Sequence, residues 1–150
     1  MSILREMVIA SNELTKNIHR DLFRFPEEYY ILIDSDLIGL ISSHVAMAER
    51  IHLALNWPDM MRLAAWCERP DKGDILLLMK KVGLSAGELK PINDPFNEML
   101  PYLYYGKRFD ILRRLCSETK KNIERHIKGQ TKINCHLIYE EASAIIASSL

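Results

Sequence analysis

The chain has 150 residues, of which 48% are hydrophobic, and its 20 basic residues cancel its 20 acidic ones. This length predicts a single domain over residues 1–150, and the apolar content excludes a disordered chain. The neutral balance gives no global attraction to nucleic acid or to an anionic membrane, and no apolar run reaches the roughly 18–20 residues of a membrane span. Three cysteines without a Cys-x-x-Cys pair, and an amino terminus unlike a signal peptide, predict a cytoplasmic protein with reduced thiols.

The first predicted helix spans residues 3–25, where apolar residues recur at three- and four-residue steps. We interpret this stripe as core packing, and a coiled-coil seam with a partner chain is the alternative. A short helix is predicted over residues 26–33, because Pro26 followed by two glutamates is typical of a first helical turn. The β-branched and aromatic residues of that segment leave a strand open as the alternative.

Residues 34–67 form the most apolar long stretch and carry both tryptophans. Helical spacing over residues 37–55 predicts a long central helix, with Ser35 and Asp36 as capping residues at its start. A proline cannot continue that helix, so Pro58 ends it. Asn56 is predicted to cap a second helix, with the proline in its first turn. The stretch is therefore predicted to be a helical hairpin.

Further helices are predicted over residues 74–82, 93–106, 107–127 and 131–148. Ser85 is predicted to cap a short turn of helix between the first two of these, and Pro101 predicts a kink or a break within the second. No segment shows sustained alternation of polar and apolar residues. The predicted fold class is all-α, a compact domain of about seven or eight helices built from packed helical hairpins.

Residues 74–89 read Asp-Ile-Leu-Leu-Leu-Met-Lys-Lys-Val-Gly-Leu-Ser-Ala-Gly-Glu-Leu and resemble a bacterial helix-turn-helix segment. Such segments carry an apolar helix, then Gly-Leu-Ser, then a recognition helix. The resemblance implies DNA binding through that second helix. Here it would span residues 86–90 and would offer only Lys90 as a basic contact, and the same pattern also suits a plain turn between helices.

The main electrostatic feature is a basic face on the predicted helix over residues 107–127, which extends to Lys128. It is formed by Lys107, Arg108, Arg113, Arg114, Lys120 and Lys121. Its basic pairs recur at six- to seven-residue steps and so nearly line up along the helix. This basic face is either an ordinary solvated surface or a docking surface for an acidic partner or for phosphates.

Two groups of large apolar side chains predict a surface for a protein partner. The first is an adaptable groove formed by Trp57, Met60, Met61 and Trp66. The second is an aromatic cluster formed by Tyr102, Tyr105 and Phe109. Core packing is the alternative role for both groups. An apolar surplus beyond the needs of the core would mark an interface.

The candidate metal ligands do not assemble into a predicted site. Glu49 and His52 have the Glu-x-x-His spacing of a di-iron helix, but the chain has no second such motif. Cys135 and His136 would point about 100° apart on a helix, which makes them poor ligands for one zinc ion. His19 is followed by the charged residues Arg20 and Asp21 and is predicted to be solvated. Phosphate-binding glycine loops and a Gly-x-Ser-x-Gly elbow are absent, so we predict no catalytic residue, no metal and no cofactor.

The resulting hypothesis is a small cytoplasmic protein–protein interaction module, acting as an adaptor, a chaperone-like subunit or a regulator, and not an enzyme. It would bury an apolar helix or groove against a protein partner or a second copy of itself, with the basic face steering the encounter. The alternative is a helical nucleic-acid-binding transcriptional regulator. No membrane association is expected.

Overall fold

The computed structural model describes residues 4–34, 36–127, 129 and 131–149. The strands are β1 (Leu4–Ala10), β2 (Tyr30–Leu32), β3 (Ala48–Leu55), β4 (Lys132–Tyr139) and β5 (Ala144–Ser148). The α-helices are α1 (Glu13–Phe23), α2 (Leu37–His44), α3 (Trp57–Ala65), α4 (Lys72–Lys81), α5 (Ala86–Leu89), α6 (Pro95–Tyr105) and α7 (Phe109–Ile127). Short 3-10 helices span Glu27–Tyr29 and Glu140–Ala142. The predictions for Ile3, Ser35 and Lys128 lie outside the described residues.

The protein is an α/β fold, so the predictions of an all-α class and of a helical bundle are wrong. Its five-stranded sheet has the order β2-β1-β3-β4-β5, in which the first four strands are parallel and β5 is antiparallel to β4. The chain moves from β1 to one neighbour, β2, and then crosses back to the other neighbour, β3. Right-handed crossovers in opposite directions place the connecting helices on opposite faces of the sheet. Accordingly, α1 packs on one face, while α3 and α7 pack on the other.

The predicted central helix over residues 37–55 is wrong because its second half is a strand. The structure ends α2 at His44 and begins β3 at Ala48. Every residue from Ile51 to Leu55 is buried, since β3 lies in the middle of the sheet with helices on both faces. Such a strand is apolar on both sides and therefore lacks the alternation that distinguishes a strand in a sequence.

The same cause explains two more errors. The predicted helix over residues 3–25 is β1 followed by α1, and the predicted helix over residues 131–148 is β4 followed by β5. Residues 7–10 and 133–139 are continuously buried. Over residues 26–33 the predicted helix is limited to the 3-10 turn Glu27–Tyr29, and the strand alternative is confirmed for Tyr30–Leu32.

Predictions that rest on local capping chemistry are confirmed. The Asn56 side chain accepts a hydrogen bond from the Asp59 N–H at the start of α3, and Ser85 caps α5 in the same way. Helix α6 begins at Pro95 and ends before Gly106. The sequence predicted a kink or a break at Pro101, and the helix runs through this residue without a break. No helix in the described part of the chain is both long enough and apolar enough to cross a lipid bilayer.

Two apolar clusters lie on the two faces of the sheet. The large one fills the space between the sheet and the helices that follow β2. The small one lies beneath α1 and consists of Val8, Ala10, Ala54 and Ile138. Two of its four members are alanines, so little side-chain bulk separates α1 from the strands.

Candidate metal centre

Three histidines from three separate elements converge beneath α1. His19 comes from α1, His52 from β3 and His136 from β4, and their exposed fractions are 0%, 6% and 0%. Each offers one ring nitrogen such that all three nitrogens lie within 4.8 Å of one another. Such a cluster of ligand-type side chains is the principal candidate for a functional site in the described residues.

The parallel sheet brings two of these histidines together. Side chains alternate between the faces of a strand, so His52 and His136 point toward α1 while Leu53 and Cys135 point into the large core. In the register of β3 with β4, His136 lies opposite Ala54, one step along the same face from His52. His19 reaches this place from α1, with its ring centroid 6.0 Å from that of His52 and 5.3 Å from that of His136.

One ring nitrogen of each histidine is hydrogen-bonded to a neighbouring side chain. His19 Nδ1 lies 2.7 Å from the Tyr30 hydroxyl, and His136 Nδ1 lies 2.7 Å from Ser148 Oγ. His52 Nε2 lies 3.3 Å from the Glu6 carboxylate. Metal-binding histidines in proteins almost always have a partner of this kind, which fixes the ring and its tautomer.

The remaining nitrogen of each ring has no hydrogen-bond partner. Four buried side-chain nitrogen or oxygen atoms of the described residues lack one, and three of them are His19 Nε2, His52 Nδ1 and His136 Nε2. Unpartnered buried polar atoms are costly and therefore rare. An ionised carboxylate only accepts hydrogen bonds, so the contact with Glu6 places the His52 proton on Nε2 and leaves a lone pair on Nδ1.

Burial keeps the three rings neutral. Burial and then repulsion from neighbouring histidines lower the pKa of His19 to about 3, and the same two causes lower the pKa of His136 to about 4. Burial also lowers the pKa of His52, against the opposing effect of Glu6. Burial raises the pKa of Tyr30 to about 12, so its hydroxyl stays protonated. Neutral imidazole is the form that binds metal ions.

Aromatic rings surround the cluster. Phe23 stacks on His19 with ring centroids 4.4 Å apart and lies 5.0 Å from His136. Phe25 lies 5.1 Å from His52. These rings shield the nitrogens from water and lower the local dielectric, which strengthens any bond to a cation.

The spacing of the three nitrogens suits a small cation after a modest contraction. Points within 4.8 Å of one another fit in a circle whose radius is 4.8 Å divided by √3, which is about 2.8 Å. A zinc–nitrogen bond is about 2.0–2.1 Å long, so each ring would move inward by at most about 0.7 Å. No carboxylate or thiol of the described residues joins the group, which leaves a fourth tetrahedral position without a protein ligand.

Sequence reasoning missed this centre. His19 was predicted to be solvated, but it is buried. The helix that carries it starts at Glu13 and lies across the sheet, so this side chain faces the strands. The Glu49–His52 spacing belongs to a strand, where Glu49 is exposed and residues three apart point to opposite faces. The available signal was a histidine inside each of two apolar runs, which is unusual for a solvated side chain.

The predicted partner-binding residues occupy different environments. Trp57, Met60 and Met61 are buried in the large core, and Trp66 and Phe109 are partly buried against it. Tyr102 and Tyr105 are exposed, with exposed fractions of 40% and 70%. The structure therefore does not bring these seven side chains together on one surface.

Most of the predicted basic face is on the surface of α7. Lys107, Arg113, Arg114 and Lys121 are exposed, whereas Arg108 and Lys120 are partly buried. Several of these residues line a groove of about 390 Å³ between α4 and α7, together with Asp110 and Glu118. The segment that resembles a helix-turn-helix forms α4 and α5, and α5 has only four residues.

Comparison with protein-family models, with curated proteins and with solved structures finds no match to this chain. The chemistry of the site is therefore inferred from its own geometry.

Proposed function

We propose that the protein binds a divalent transition-metal ion, with zinc as the best fit, through His19, His52 and His136. Two observations carry this proposal: one ring nitrogen from each histidine lies within 4.8 Å of the others, and each ring has one buried nitrogen without a hydrogen-bond partner. A bound cation would satisfy all three at once. Three separate internal hydrogen bonds would need three further polar groups, and none of the described residues supplies them.

The ligand set decides which metals suit the site. Imidazole nitrogens suit zinc, copper, iron and nickel, whereas calcium and magnesium prefer oxygen ligands. Structural zinc sites almost always have four protein ligands, while catalytic ones have three and keep one position for water. We therefore propose a three-histidine site in which one position of the metal is left for a water molecule.

Metal analysis of the purified protein tests the proposal. We expect one zinc ion per chain after reconstitution and gel filtration, and a cobalt-substituted protein with the intense visible bands of a tetrahedral site. His52→Gln should remove both signals, whereas His126→Gln, which changes an exposed histidine, should keep them. Both variants should retain the circular-dichroism spectrum of the folded chain. A folded wild-type protein that retains no metal would contradict the proposal.

Binding of a protein partner or self-association remains a second proposal. It is supported by the exposure of Leu77, Tyr102 and Tyr105 on α4 and α6, two helices that pack against each other. Co-purification at rising salt tests it, and Tyr105→Asp should release a genuine partner without unfolding the chain.

Nucleic-acid binding through the basic face remains the alternative proposal, and Lys121→Glu should weaken that binding. A cytoplasmic location is also proposed, supported by three cysteines that are all unpaired.

A further inference from the structure

Helix α1 lies on the sheet with very little apolar burial of its own. Its two fully buried residues are Thr15 and His19, and both are polar. All of its apolar side chains are at least partly exposed, namely Leu14, Ile18, Leu22 and Phe23. By contrast, α3 is shorter and buries four apolar side chains in the large core. The hydrophobic effect therefore contributes much less to the position of α1 than to that of α3.

The polar contacts at the start of α1 fix only its first turn. The Thr15 hydroxyl is engaged with the backbone of Asn12, within the cap of the helix itself. The side chain of Asn12 donates to the Glu140 carboxylate at 2.8 Å, which ties this end of the helix to the segment after β4. The turns that carry His19 and Phe23 therefore depend on their own contacts with the strands.

The ion pairs of α1 lie on the surface of the protein. Lys16 and Arg20 both pair with Glu27, whose side chain is 57% exposed. Ion pairs that are open to solvent contribute little to stability, because water and salt screen them. His19 is therefore the fully buried side chain through which the middle of α1 meets the sheet.

Without a cation, the docked position of α1 has a cost at the histidines. The rings of His19, His52 and His136 each have one buried nitrogen without a hydrogen-bond partner. Water would satisfy these nitrogens if α1 moved away from the strands. A cation bonded to all three rings removes this cost. It also connects α1 to β3 and β4 by bonds that end when the helix leaves.

We infer that the metal ion controls the docking of α1 on the sheet. This inference rests on the metal binding proposed above and assigns it a consequence. With the ion bound, α1 is fixed; without the ion, α1 opens locally and transiently while the rest of the fold stays intact. A helix of 11 residues is marginal on its own in water, so α1 unfolds whenever it leaves the strands. Each opening exposes the small apolar cluster and the three rings to solvent.

Amide hydrogen exchange at pH 7, followed residue by residue with NMR, tests the inference. In EDTA, the amides of residues 17–23 should exchange about 100-fold faster than those of β4, because a local opening releases them without global unfolding. Free zinc buffered at about 100 times its dissociation constant should slow the α1 amides about 100-fold, since each opening must first release the ion. Magnesium at the same concentration should have no effect, because it prefers oxygen ligands.

Two variants and a metal analysis of the exchange samples complete the experiment. In His19→Gln, which removes the ligand on α1, zinc should no longer slow the α1 amides. His126→Gln, at an exposed position, should behave as the wild type.

The outcomes separate this inference from the metal-binding proposal. One bound zinc per chain with unchanged exchange of α1 would overturn the inference and leave the metal-binding proposal standing. Exchange of α1 as slow as that of β4 in EDTA would also overturn it, as would slowing by zinc in His19→Gln. Absence of bound zinc in the wild type would overturn both.

Discussion

The buried histidines should make the metal-free protein sensitive to mild acid. In the unfolded chain a histidine has a pKa near 6.5, whereas the pKa values of His19 and His136 in the folded protein are about 3 and about 4. Below pH 6.5 the unfolded state therefore binds protons that the folded state does not. The free energy of unfolding is highest above pH 6.5 and falls as the pH decreases toward 4.

The size of this effect follows from the two pKa differences. Well inside the window, each histidine lowers the free energy of unfolding by about 1.4 kcal/mol per pH unit. Between pH 7 and pH 5 this amounts to about 2 kcal/mol for each residue and about 4 kcal/mol for the pair. Ion pairs lower the pKa of Glu27 and of Asp110 from ordinary values that are already below 5, so these two carboxylates add little to the change between pH 7 and pH 5.

Urea unfolding at pH 7, 6 and 5 in EDTA, followed by circular dichroism, measures the loss. His136→Gln should reduce the change by about 2 kcal/mol, while His126→Gln, at an exposed position, should leave it intact. Equal free energies of unfolding at pH 7 and pH 5 for the wild type would refute the reasoning, because they would mean that the rings accept protons without leaving their folded positions.

Three further outcomes are expected. Tyr30→Phe removes the hydrogen-bond partner of His19 and should weaken zinc binding by about 10–100-fold in a chelator competition; an unchanged affinity would show that the hydroxyl does not orient the ring. Asn12→Ala removes the cap of α1 and should lower the free energy of unfolding by about 1 kcal/mol in urea, and no loss would mean that water replaces the cap. Met60→Asp places a charge at a fully buried position and should abolish the helical circular-dichroism signal, whereas Tyr105→Asp should not; a folded Met60→Asp protein would place that side chain outside the core.

Helix boundaries and caps were predictable because they depend on neighbours in sequence. Asn56 and Ser85 each accept a hydrogen bond from the N–H three residues later, and Pro95 needs only its own fixed backbone angle. The surface position of most of the basic face was also predictable, since charged side chains on an amphipathic helix point to water. None of these features requires knowledge of what lies across the fold.

The sequence alone determined the apolar content, the helix caps and the amphipathic helices of the second half of the chain. Only the tertiary structure decided that the apolar runs around Ile51 and Leu137 are strands, because a central parallel strand is stabilised by neighbours distant in sequence and is buried on both faces. The metal centre depends on that decision. His52 and His136 point to one face through the period of a strand, and His19 meets them because the crossover from β1 lies on that same face.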